Sequence, residues 1–400
     1  MRCTTRPAVT PLGAPRRVRH HGPMRLPHRI ATTIALGALT LVAAGCGDDS
    51  SNQGADDGSL LGLLGEVPAS AVDGAEAVEI IFGDLEAATA GAGLERPDPA
   101  DATAVRDWSA VITGVMSPVE PEFRFVIPGD SLTPTSWVRL DEMRAELGWT
   151  VGDLDQFVDV AALPSRFMVA TVREGVEDSI GDAIGDADDG IWFLGGEDFA
   201  VDVAGSTAAR PIGESLRIAA GDGLLAVSRS TPPLAEWIDG PEESLADDEG
   251  LAAVAGALDD AGAYTAMILD GTDHSIAGAL GATAGPERTA AILDELGDGL
   301  PEPFGTVGYG LSTDDDAVTT ATIVYRFASE EAATDGAERI GALITDGTSF
   351  VTRAPVSERL TLIDATADGQ LVIVTVGFVD TAPHALLGML LQRDLPFVHR

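Results

Sequence analysis

Asp273-His274-Ser275 places the three residue types of a nucleophilic triad side by side. Such catalysis needs an exposed serine beside an imidazole that a carboxylate holds in place, and immediate chain neighbours do not supply that geometry. The Gly-x-Ser-x-Gly elbow that would present a nucleophile is absent from the sequence. Oxygen ligands for calcium are offered by Asp182, Asp186, Asp188 and Asp189, and by the run Asp314-Asp315-Asp316, but neither follows the Asp-x-Asp-x-Asp-Gly register. Among 64 acidic residues such clusters arise by chance, so no metal ligand is assigned. Paired carboxylates for glycosidic cleavage are equally unspecific against that background. The five tryptophans, Trp108, Trp137, Trp149, Trp192 and Trp237, suit a core as readily as a sugar site. Gly305-Thr306-Val307-Gly308-Tyr309-Gly310 falls in a predicted strand with no helix opening behind it, so it is not read as a dinucleotide loop. Zinc spacing is missing too, with no His-Glu-x-x-His and only two cysteines, Cys3 and Cys46. The expectation is therefore no catalytic residue and no cofactor.

The elements around these residues follow from hydropathy spacing. Strands are predicted at 77–82, 166–172, 191–194, 199–203 and 264–269. Hairpins are predicted for 216–218 with 224–227 over Gly221-Asp222-Gly223, for 304–311 with 318–327, and for 360–365 with 371–378 over Asp368-Gly369. Apolar residues at helical spacing predict helices over 101–116, 139–148, 150–162, 174–185, 233–239, 247–260, 286–296, 329–345 and 381–392. Thr150 is the expected cap of the third, and Pro286 sits in the first turn of the seventh. The order strand, helix, Asp-Gly hairpin, helix occurs twice, with Thr-x-Pro after each hairpin (Thr231 to Pro233, Thr381 to Pro383). The expected fold is α+β: antiparallel sheets with helices packed on one face, in two related halves covering 67–240 and 241–400.

The amino-terminal region carries the most specific signal. Arg25, His28 and Arg29 precede an apolar run from Ile30 to Ala44, which Gly45-Cys46 closes. About 15 residues is short for a bilayer span, which takes about 20, and right for the apolar part of a secretory signal. Val42-Ala43-Ala44-Gly45-Cys46 resembles the lipobox of bacterial lipoproteins, with Ala43 where many lipoboxes carry Leu. The resemblance implies cleavage before Cys46, a lipid on its thiol, and a chain held on the outer face of the cytoplasmic membrane. Residues 1–23 are rich in Arg, Pro and His and precede a complete signal, so Met24 reads as the true start and 1–23 as an upstream extension. Residues 24–45 are then the signal peptide, and 46–66 a flexible acidic tether, although Leu60-Leu61-Gly62-Leu63-Leu64 suits a first helical turn packed on the body. The Val67-Pro68-Ala69-Ser70 opening, the Asp-Gly hairpin and the carboxy-terminal helices resemble the layout of secreted lipoproteins of actinobacteria, a likeness that transfers no activity.

Charge narrows the partners. All 24 basic residues other than histidine are Arg, seven of them before Cys46, where no acidic residue occurs. Seventeen Arg against 64 acidic residues then leave the part after the cut at −47. That surface repels nucleic acid, and it suits either a solvated secreted body or one adapted to high salt. With cleavage and acylation no free thiol remains, which excludes disulfides and cysteine nucleophiles. The reading is a lipid-anchored extracytoplasmic envelope protein, a non-enzyme that binds or scaffolds another molecule, with the membrane as its one assigned partner. The alternatives are a hydrolase using scattered carboxylates and a solute-binding lipoprotein. Parallel-sheet lobes are usual in that last class, and the hairpin-rich order counts against it.

Overall fold

A computed structural model describes residues 58–113, 126–129, 131–132, 139–296, 299–314, 318–379 and 383–400. Its frame is one sheet of eleven strands, antiparallel at every pairing. In chain order the strands are β1 (Val78–Asp84), β2 (Leu154–Ala162), β3 (Ser165–Val172), β4 (Trp192–Leu194), β5 (Leu216–Gly221), β6 (Leu224–Ser228), β7 (Thr265–Asp270), β8 (Phe304–Thr313), β9 (Thr319–Phe327), β10 (Leu360–Asp368) and β11 (Leu371–Phe378). Across the sheet they run β10-β11-β9-β8-β7-β1-β2-β3-β6-β5-β4.

The α+β expectation with antiparallel pairing holds, as a single sheet. The expected coverage of one face does not, because helices cover both. Alternate residues of one strand enter different cores: Ile81, Phe157 and Met168 join one, and Ile80, Phe82, Val158 and Val160 join the other. The first core is closed by helices Leu85–Gly91, Ala102–Thr113, Leu140–Leu147, Val176–Ile184, Glu330–Asp346 and His384–Leu391. The second is closed by Leu60–Gly65, Thr231–Asp239 and Glu249–Asp260.

This two-sided burial explains the largest misreading. Residues 150–162 were expected as a helix from Leu154, Phe157, Val158 and Ala161. They form a 3-10 turn, Val151–Asp153, and then strand β2. A strand buried on both faces loses the polar alternation that identifies strands and mimics a helical run. The Thr150 cap is real but serves the short turn, where Thr150 and Asp153 form a capping box. The helix expected from Pro286 instead spans Ile276–Leu296, and Gly285, at φ +66°, breaks its path immediately before the proline. The expected strand at 199–203 reduces to a single bridge, Val201 with Glu214. The Asp222-Gly223 turn has positive φ at both residues, as a two-residue hairpin loop of mirror-image type requires.

Leu60–Gly65 is part of the body, not of a tether. Ser59 caps it, and the Asp259 carboxylate accepts from Leu60 N and Leu61 N, both at 2.9 Å. Burial pushes the Asp259 pKa up, against the pull of those N–H groups. Leu60, Leu63 and Leu64 are fully buried, so tether character can apply only to residues before 58. Leu63→Ala is expected to cost about 2–5 kcal/mol, read as a lower denaturation midpoint at unchanged slope.

Candidate binding pocket

A partly enclosed cavity lined by both charged and apolar side chains lies where β3, β6 and β5 end beneath helix Leu140–Leu147. Its apolar lining is supplied by Met168, Val227 and Leu216 from the strands, by Met143 and Leu147 from the helix, and by Trp149. Gly148, left-handed at φ +81°, ends the helix and turns the chain into Trp149. Ala209 and Glu214 come from the loop before β5, which Arg210 fastens to the helix through Glu146 at 2.9 Å. Space open to the centre of a water molecule amounts to about 30 Å3, above the roughly 10–15 Å3 that one water requires.

The cavity holds charge at the end of an apolar floor. Arg166 is the second residue of β3, and Arg229 follows the last residue of β6. Phe167 pairs with Ser228 at the end of the β3–β6 ladder, and Arg166 and Arg229 adjoin that pair and line the same cavity as Glu214. Asp159 on β2, facing Met168, is 2% exposed and accepts from Ser131 N at 2.6 Å and Ser131 Oγ at 2.8 Å. Glu214 accepts from Ile212 N at 3.0 Å, and its other oxygen stands 3.8 Å from Arg229, beyond charge-assisted hydrogen-bond length. The Trp149 indole N–H, on a side chain only 2% exposed, has no acceptor among the described residues. An unanswered buried donor costs about 1–3 kcal/mol, so this N–H favours any oxygen brought into the cavity.

The residues singled out from sequence lie elsewhere. Cys46 and Trp137 are outside the described residues, as are Asp315 and Asp316. Among the described residues, which include Asp182, Asp186, Asp188 and Asp189, no three His, Cys, Asp or Glu side chains are grouped to hold a metal. His274 is fully buried, with Nδ1 3.1 Å from Phe397 O and its ring 5.5 Å from that of Phe304. Asp273 accepts from Ser275 N, and Ser275 Oγ accepts from Gly278 N, so the three form a turn and not a relay. Trp108 and Trp192 donate to Thr89 Oγ1 and Gly185 O, as core tryptophans do. Sequence reasoning missed Arg166 and Arg229. Their signal is parity: each sits two residues from an inward apolar residue, Met168 and Val227, on the face that should be apolar. Compared with protein-family models, with curated proteins and with solved structures, the chain matches none.

Proposed function

We propose that the chain is an envelope lipoprotein, cut before Cys46, acylated on that thiol and held on the outer face of the cytoplasmic membrane, where its acidic body binds another molecule. The membrane address is supported by the basic start, the short apolar run and the small residues before Cys46. The described body opens at residue 58, twelve positions after Cys46. The observation that carries the binding reading is the cavity with two arginines and an unanswered indole N–H. Paired donors around a preformed space are what a binding site presents.

The same reading takes the body as two related halves. Outward from the centre, β1-β2-β3-β6-β5 and β7-β8-β9-β11-β10 follow one order, each set being three successive strands and then a reversed hairpin pair. β1 and β7 meet antiparallel, with Ile81 opposite Met267, as a two-fold axis through the sheet requires. The halves part on the second core. There the first half carries Thr231–Asp239 over β5 and β6, whereas the helix that follows β11, His384–Leu391, packs on the first core.

Replacing the thiol tests the address. With Cys46→Ser the protein is expected to lose the added mass of the lipid and to retain residues before 46. An unchanged mass and an unchanged first residue contradict the lipid anchor.

A further inference from the structure

The two halves differ at their outer edges. From the Ile81–Met267 pair, the ladders followed outward bring Ile218 of β5 to the same place as Ala365 of β10, and Arg217 to the same place as Asp364. Beyond β5 the first half adds one more strand, β4. There Trp192 stands opposite Ile218, both in the first core, and Phe193 stands opposite Arg217, whose guanidinium lies 5.0 Å from the ring centre. Among the described residues β10 pairs with β11 alone. The segment after helix Val176–Ile184 supplies β4. Its counterpart after helix Glu330–Asp346 folds on itself, through the Thr348–Pro355 bridge and the 3-10 turn Val356–Glu358. A strand at the end of a sheet presents one row of N–H and C=O groups outward, and β10 is such a strand.

We propose that the outer edge of β10 takes one extended segment of a basic partner protein, added to the sheet as β4 is added to β5. This surface lies apart from the cavity, and of the reading above it borrows only the comparison of halves. Main-chain hydrogen bonds along an edge give an added strand its affinity, and alternate side chains give it selectivity. After the bulge between Leu362 and Asp364, the register runs without a break from Asp364 to Asp368. Ala365, half-buried against the first core, is small where Ile218 is large, so an apolar side chain fits opposite it, as Trp192 does opposite Ile218. Asp364, Thr366 and Asp368 share the other face and are exposed. Where Arg217 receives an aromatic ring, Asp364 calls for a cation, because opposite charges across a ladder attract. Asp368 repeats that requirement at the hairpin end. A second copy of this chain would bring its own Asp364 and Asp368 to the ladder, where like charges repel. The acidic body draws a cationic segment from a distance.

The fluorescein-labelled peptide Ser-Arg-Ile-Thr-Ile-Arg-Ser provides the test, titrated into detergent-purified protein while anisotropy and amide hydrogen exchange are followed. Saturable binding of one peptide per chain is expected, with slowed exchange over 361–368. Putting Glu for both arginines of the peptide reverses its charges, and the order Ser-Arg-Arg-Thr-Ile-Ile-Ser breaks its alternation. Each change should weaken binding by about tenfold or more. Asp364→Asn and Asp368→Asn, both at exposed positions, should each weaken it by about 2–5-fold. Equal binding of the rearranged peptide shows attraction to the acidic surface at large and overturns the added strand. Equal binding of the Glu peptide overturns the basic partner. Binding that leaves exchange over 361–368 unchanged, or that is unaltered in both Asn variants, places the peptide elsewhere and overturns the site. A dimer in sedimentation that slows exchange at the same amides assigns the edge to a second copy and overturns the partner. No saturable binding overturns the proposal outright and leaves the cavity and the anchor untouched. Putting Ser for both isoleucines of the peptide should also weaken binding; equal binding there contradicts the comparison of halves while the basic partner stands.

Discussion

Gly148→Ala is expected to destabilise the body by about 3 kcal/mol or more, one of the largest effects of any single methyl in the fold. Two costs combine. Gly148 has φ +81°, where a side chain costs about 1–2 kcal/mol. A Cβ there would also lie 2.1 Å from Ser179 O and 2.7 Å from Ile180 N, which belong to the backbone of helix Val176–Ile184. A backbone atom cannot swing aside as a side-chain tip can, so the two helices must separate. Trp149 and Leu147 flank the glycine and line the cavity, so the same change should loosen the pocket. Gly175→Ala is the control, because Gly175 has φ +88° but open space around its Cβ position. It should show the backbone cost alone, about 1–2 kcal/mol. Equal losses in the two variants, measured by denaturant unfolding, would remove the close approach of the helices from the account.

His274 is expected to make the fold acid-sensitive by about 3 kcal/mol. Burial lowers its pKa from 6.5 to about 4, partly offset by the hydrogen bond to Phe397 O, while Arg393 and His399 lower it further. An unfolded chain thus takes up a proton between about pH 6.5 and 4 that the folded chain refuses. Stability therefore rises with pH across that window and is lost on acidification; below about 4 both states are protonated and the penalty is complete. The location amplifies the consequence. His399 N donates to His274 O and Ile276 N donates to His399 O, so His274 secures the carboxy-terminal strap, whose Leu395, Phe397 and Val398 are fully buried. His274→Asn keeps a donor toward Phe397 O and removes the titration. The difference in unfolding free energy between wild type and variant should change by about 3 kcal/mol between pH 7 and 4. A difference that stays constant with pH would show that His274 does not titrate as a buried base.

Much of the secondary structure was legible in the sequence because helix caps and turn residues act locally. Ser329 caps the helix Glu330–Asp346 through Ala332 N, and the Asp-Gly pairs close hairpins where expected. What the sequence hid depends on tertiary burial. Strand β2 read as a helix because both of its faces are covered, and the coverage of the second face depends on distant segments such as Leu60–Gly65 held by Asp259. The candidate site was hidden for the same reason. Arg166 and Arg229 lie 63 positions apart in the numbering and line one cavity only because β3 pairs with β6. The chemistry-like triplet around His274, obvious in the sequence, is spent on holding the end of the chain.

The most direct test of the account is the intact mass of the protein extracted from membranes, together with the sequence of its first residues. The account predicts a chain beginning at Cys46 that carries the added mass of a lipid and the acidic body intact to Arg400. A chain that retains residues 24–45, or that begins at Cys46 with a free thiol, contradicts it.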